Sequence, residues 1–261
     1  MRDNETRWPA PQAEADGLIE GRNAVIEALR AGTAIDKIYL AKGETDKTLG
    51  HIASRAREAG VVVVEADRRK LDAMSRTHSH QGVIALAAVR EYVSVQSILD
   101  AAAAKGEPPL LVVCDEISDP HNLGAILRTA ECAGAHGVII PMRHSAGLTA
   151  AAVKSSAGAA VCLPVVRVAN IVATMQSLKA EKNVWFTCAD MDGVNWCQLD
   201  FKGAVGLVIG SEGNGVSRLV KEECDFVAAL PMQGQINSLN ASVAGGIILY
   251  EIQSQRAAQQ A

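Results

Sequence analysis

The 261-residue sequence contains no run of 18 uncharged apolar residues, so no membrane-spanning helix is expected. Its opening, MRDNETRWPAPQAEADG, has no apolar core, so it does not read as a secretory signal. Residues 1–16 read instead as a disordered tail. The six cysteines (Cys114, Cys132, Cys162, Cys188, Cys197 and Cys224) form no C-x-x-C pair and mostly lie in apolar runs. Neither a disulfide framework nor a zinc site follows from that pattern; reduced, buried thiols in a cytoplasmic protein do. His78 and His80 have no cysteine or carboxylate at zinc spacing, so no metal is expected. Also missing are a G-x-G-x-x-G fingerprint, a P-loop and a G-x-S-x-G elbow. A nucleotide-dependent oxidoreductase therefore lacks its main signature.

What is present is a globular composition, 49% hydrophobic and 21% charged, long enough for one or two domains. The net charge is −4, yet residues 17–90 carry 12 basic against 9 acidic groups. That asymmetry points to an anionic partner for the first part. Net acidity does not exclude nucleic acid, because a local patch is what binds it.

Two alternations of helix and strand are legible. In 17–90, Arg22–Arg30 places Ala24, Val25, Ala28 and Leu29 on one helical face. Lys37–Ala41 and Val83–Val89 read as strands, Thr45–Ala59 and Arg68–Met74 as helices. The valine run Val61–Val64 suggests a strand covered on both faces. Residues 91–107, whose first part suits a helix and which run through Gly106 toward Pro108 and Pro109, read as a linker. In 108–261, strands are expected at Leu110–Cys114, Gly137–Ile140, Val184–Cys188, Ala204–Ile209 and Phe226–Leu230. Helices are expected at Asn122–Ala133, Thr149–Ser156, Ile171–Ala180 and Leu239–Gln253. Such alternation predicts an α/β fold with a mostly parallel sheet and ligands beyond the carboxyl ends of its strands.

Three polar loops each follow a strand. The first, Asp115 to Gly124, leads into a helix that Asn122 could cap and that carries Arg128 among apolar neighbours. An Arg there calls for an anionic partner. The second, Gly210-Ser211-Glu212-Gly213-Asn214-Gly215, lets backbone N–H groups approach a ligand, while Glu212 argues against a phosphate. The third, Pro231 to Asn240, is rich in amides and opens the last helix with Ser238 and Asn240. Consecutive glycines Gly245 and Gly246 in that helix cost about 1 kcal/mol each, so another backbone or a second subunit is expected close by.

The segments DPHNLGAILRTAECAG, LVIGSEGNGVSR and LPMQGQINSLNASVAGGIILYE, in that order, resemble the SpoU (TrmH) branch of the SPOUT methyltransferases. GRNAVIEALRAG and HQGVIALAA resemble that family's L30e-like substrate-binding domain. The two-module layout is most similar to the RlmB-type enzymes, which methylate a guanosine 2′-hydroxyl in 23S rRNA. The resemblance implies a carboxy-terminal trefoil knot, an exception to the rule against knotted chains. It also implies S-adenosylmethionine as cofactor and a homodimer, which the two glycines would suit. By motif position Gly210, Leu230 and Leu239 would line the cofactor pocket. Asn122, Arg128, Glu212, Ser238 and Asn240 would form the catalytic group.

Arg128 is often cast as the base in this family. Arginine is effectively always protonated, so the expectation here is that it binds the neighbouring phosphate and stabilises oxyanion charge. Ser238 and Asn240 would orient ribose and loop, and Glu212 would fix the loop or Arg128. For RNA binding, Arg68, Arg69, Lys70, Arg76, His78, His80 and Gln81 cluster in one segment and would position a structured RNA through its phosphates. Two alternatives remain: a tRNA or other rRNA position as target, and a non-catalytic RNA-binding assembly factor. The complete catalytic set argues against the second.

Overall fold

The backbone divides into two units between Glu91 and Tyr92. The computed structural model describes residues 17–43 and 46–260; the tail expected at 1–16 lies outside them.

In the first unit four strands, β1 (Leu18–Glu20), β2 (Ile35–Ala41), β3 (Val62–Ala66) and β4 (Val83–Ala87), form a sheet in the order β1-β4-β2-β3. β4 runs antiparallel to β1 and β2, and β2 pairs parallel with β3. Side chains alternate across the pleat. Ile38, Leu40, Val83 and Ala85 meet helices α1 (Arg22–Arg30) and α2 (Lys47–Glu58) through Val25, Ala28, Leu49 and Ile52. Tyr39, Ala41 and Ile84 face α3 (Arg68–Met74) through Leu71 and Met74. β3 is an edge strand with half-buried valines, not one covered on both faces.

The second unit is three-layered. Six strands, all parallel, take the order β10-β8-β9-β5-β6-β7. They are β5 (Leu110–Cys114), β6 (Gly137–Pro141), β7 (Val165–Val168), β8 (Trp185–Asn195), β9 (Val205–Ile209) and β10 (Phe226–Ala229). β5 and β9 are buried at every residue, as unbroken apolar runs in a covered parallel sheet should be. One face packs on α5 (Pro120–Cys132) and α10 (Ala241–Gln260), joining Leu110 and Val112 to Leu123, Ile126, Leu127, Ile248 and Leu249. The other packs Leu111, Val113 and Phe186 on α4 (Val95–Lys105), α8 (Ile171–Lys182) and α9 (Arg218–Glu223). Two short helices, α6 (Ala150–Ser155) and α7 (Ala159–Cys162), link β6 to β7.

Several expectations change. Within 91–107, α4 occupies most of the segment; it packs Ile98 and Leu99 into the second core and also buries Ala102. The helix opening at the first loop starts at Pro120, and Asp119, not Asn122, caps it by accepting from the His121 N–H at 2.9 Å. Cys132, Cys162 and Cys197 are exposed, because they point outward from helices and a turn; Cys114 and Cys188 are buried, and all six are free. Gly245 and Gly246 are explained within the chain. A Cβ on Gly245 would stand 2.3 Å from Ile209 Cδ1, and one on Gly246 would stand 3.2 Å from Thr129 Cγ2. The close neighbours are side chains of β9 and α5, so the glycines give no support to a second subunit.

Candidate functional site

β5 and β9 are hydrogen-bonded neighbours, with Cys114 opposite Ile209, so the loops leaving their carboxyl ends emerge side by side. Two bonds fasten them: the Asp115 N–H donates to Ile209 O at 2.8 Å, and the Ser217 N–H to Asp115 Oδ2 at 2.7 Å. Between these anchors the glycine-rich loop doubles back through paired Ser211–Gly215 backbone bonds, both 2.9 Å. The fold-back leaves no room at Gly210, where a Cβ would lie 2.1 Å from the Gly215 carbonyl carbon.

Behind this loop is a chamber of about 370 Å³. Gly210, Leu230, Leu239, Glu212 and Ser238 all line it, together with Asp190 and Met191 from the middle of β8. Lys221 Nζ stands 2.9 Å from Asp190 Oδ2. Burial pushes the Asp190 carboxyl up, but the Lys221 bond and charge, with the Asp192 and Met191 N–H groups, outweigh it and hold it below its ordinary value. An ionised carboxylate therefore faces the chamber. Sequence reasoning missed Asp190 because it ended this strand at Cys188.

The third loop closes the arrangement through Asn240. Its Nδ2 donates to Asn122 Oδ1 at 3.0 Å and to Glu212 Oε1. Its Oδ1 accepts from the Ser242 N–H at 2.9 Å and the Val243 N–H at 3.3 Å, capping α10. Four of the five residues proposed as catalytic thus meet: Asn122, Glu212 and Asn240 by direct bonds, and Ser238 on the chamber wall. Glu212 binds Asn240 rather than Arg128. Arg128 lies nearly two turns along α5 from Asn122, exposed, with no hydrogen bond or ion pair among the described residues.

In the first unit, Arg68, Arg69 and Lys70 form the exposed first turn of α3, where Lys70 Nζ lies 5.0 Å from the Tyr39 ring centre. The following loop is pinned by Glu20, which accepts from Ser75 Oγ at 2.6 Å, the Arg76 N–H at 2.8 Å and Thr77 Oγ1 at 2.7 Å. The Arg76 side chain is exposed. His80 is not available to a ligand. It is 3% exposed, its Nδ1 accepts from the Gly82 N–H at 3.0 Å, and Nε2 therefore donates to Asp72 Oδ1 at 2.9 Å. Gln81 is exposed but engaged: its Oε1 accepts from the Arg22 N–H at 3.3 Å and its carbonyl from Arg22 Nε at 3.0 Å. His78 is exposed.

A parallel sheet with its chamber beyond the carboxyl ends of the strands, together with a small mixed-sheet unit, defines an α/β protein of two units whose second unit is built to hold a ligand. Residues 109–250 match the SpoU rRNA Methylase family, and residues 18–93 match the RNA 2′-O ribose methyltransferase substrate-binding family. A putative TrmH family tRNA/rRNA methyltransferase, YacO of Bacillus subtilis (strain 168), is 41% identical over 237 residues, 90% of this chain and 94% of that one. An uncharacterized tRNA/rRNA methyltransferase of Mycobacterium avium (strain 104) is 44% identical over 253 residues, 96% of this chain and 81% of that one. The crystal structure of the SpoU methyltransferase AviRb from Streptomyces viridochromogenes, in complex with AdoMet, aligns with a TM-score of 0.59 at 26% identity. The alignment covers 92% of this chain and 90% of that one. The chain belongs to the SpoU family and is an RNA methyltransferase.

Proposed function

We propose that this protein transfers a methyl group from S-adenosylmethionine to the ribose 2′-hydroxyl of a guanosine in 23S rRNA. The observation that carries the reading is Asn240, which ties Asn122 and Glu212 together at the edge of the chamber that Gly210, Leu230 and Leu239 line. The chamber suits the cofactor: apolar walls from Ile209, Leu230 and Leu239 and the exposed backbone of the glycine loop fit an adenosyl group, and the Asp190 carboxylate fits its cationic end. When bound, the cofactor supplies a methyl already activated on sulfur.

The chain's residues then position the acceptor. Arg128, exposed on α5, binds the phosphate next to the target ribose and steadies the oxyanion as the hydroxyl proton passes to water. Asn240 orients Glu212 and Asn122 toward the sugar, and Ser238 offers a hydroxyl from the chamber wall. Holding the hydroxyl oxygen in line with the methyl carbon is worth several kcal/mol. Arg68, Arg69, Lys70 and Arg76 of the first unit contact RNA phosphates. The reading extends to a trefoil knot in the second unit, a cytoplasmic location and a homodimer. α10 leaves Val243, Ile247 and Tyr250 exposed at i, i+4 and i+7, an apolar stripe that suits a second subunit.

Calorimetric titration with S-adenosylmethionine, paired with 2′-O-methyl mapping in a deletion strain, tests the reading. The expected result is binding and one missing 2′-O-methylguanosine in large-subunit rRNA. No binding, or an intact methylation map, overturns it. A missing tRNA position favours the relatives that act there.

A further inference from the structure

A second cavity, about 490 Å³, adjoins the chamber and shares Ser211 to Asn214 of the glycine loop with it. Its remaining walls are Glu116 to Asp119, Asn122 and His144. Asn122 and Glu212, assigned above to the ribose, therefore stand on its rim. A cavity of this size is ordinary for a small organic ligand. A ribose held between the two spaces would direct its methyl acceptor toward the chamber and its base into the second cavity. Enzymes that act on a nucleotide commonly take its base out of the stack and read its Watson–Crick edge in such a pocket.

The chemistry of the walls narrows the base. Asp119 Oδ1 is occupied by the His121 N–H, and Glu212 Oε1 by Asn240. Among the described residues nothing takes the Glu116 carboxylate, which leaves it two acceptor oxygens. A carboxylate accepts and cannot donate. Guanine alone among the four bases presents two adjacent donors, N1–H and the 2-amino group, on its Watson–Crick edge. Adenine and cytosine set one donor beside an acceptor, and uracil flanks its single donor with two acceptors. We infer, resting on the transferase reading above, that this cavity receives the target base and that Glu116 selects guanine by accepting from N1–H and the 2-amino group. Glu116 holds a left-handed backbone (φ 57°) in the bend that follows β5.

Total RNA from the deletion strain, incubated with the full-length protein and methyl-labelled S-adenosylmethionine and then digested to nucleosides, gives the first test. Label confined to 2′-O-methylguanosine is expected. Label on another 2′-O-methylnucleoside overturns the Glu116 assignment and leaves the transferase standing; no label removes both. Glu116→Gln and Glu116→Gly follow, the glycine variant relieving the left-handed turn so that folding is preserved. Each should lower kcat/KM for RNA about 10- to 100-fold with the cofactor Kd unchanged. Replacing the mapped guanine by inosine in a short hairpin should then cost the wild type about tenfold and Glu116→Gly nothing. Unchanged kcat/KM, or equal sensitivity of both proteins to inosine, overturns the inference.

Discussion

Asn240 and Asn122, 118 residues apart in sequence, share a 3.0 Å hydrogen bond, and the same amide reaches Glu212 while its carbonyl oxygen caps α10. One side chain therefore couples a helix terminus to two loops of the site. Asn240→Ala should remove all of these bonds, lowering kcat about 10- to 100-fold and stability by about 1 kcal/mol. Asn240→Asp keeps the cap but places a second carboxylate against Glu212. It should lose activity with little change in Tm, and a melting curve beside a turnover assay separates the two.

Arg128 is expected to act through its planar fork. Arg128→Lys keeps the charge and loses bidentate contact, so turnover should fall about tenfold or more. Near-normal turnover of the lysine variant would contradict the role given to it.

Gly210→Ala would push a methyl into the Gly215 backbone. The loop must open, so S-adenosylmethionine affinity should fall at least tenfold by calorimetry, while the circular dichroism spectrum remains that of the wild type. Full affinity would mean that this turn does not shape the chamber.

The basic face of the first unit gives a prediction that divides its members. Reversing Arg69 and Lys70 should weaken RNA binding and flatten its dependence on salt. His80→Ala should instead lower the Tm of the first unit, because it leaves the Gly82 N–H without its acceptor inside the fold. Salt-dependent binding assays with the two variants show whether the roles divide in this way.

Acid should destabilise each unit for its own reason. Burial alone would raise the Glu20 carboxyl, but bonds from Ser75, Arg76 and Thr77 hold it down at about 2 against an ordinary 4.5. A depressed carboxylate stabilises the fold above about pH 4.5, and that contribution is lost as pH falls toward 2. In the second unit, burial and then the Lys105 charge lower the His136 imidazole from 6.5. Because its folded value is depressed, stability drops as pH falls below about 6.5, where the unfolded chain protonates first. Urea unfolding between pH 7 and 3 should show both losses. Glu20→Gln should flatten the lower one and His136→Asn the upper.

The parts of the fold legible in the sequence were those written locally. Leu110–Cys114 is five apolar residues in a row and is a fully buried strand; Leu123, Ile126, Leu127 and Ala130 repeat at helical spacing and face the core. What was not legible depended on partners far along the chain. Four valines at Val61–Val64 look the same whether a strand is central or at an edge, and the sheet order makes β3 an edge. The tail of β8, with Asp190, Asp192 and Gly193, carries no strand signal; it is held by pairing with β10 across a bulge. His80 looked like part of a polar loop until Asp72 and Gly82 enclosed it. At the site, the three loops and Asn240 itself are legible as polar breaks after strands, but the bonds by which Asn240 joins Asn122 and Glu212 are not.

The most direct test is mass spectrometry of nucleosides after incubating 23S rRNA from a deletion strain with this protein and S-adenosylmethionine carrying a deuterated methyl group. One deuterated methyl on the 2′-oxygen of a guanosine, absent with Asn240→Asp, is the predicted result. A deuterated methyl on a base, or none on the RNA while the protein still binds the cofactor, would contradict it.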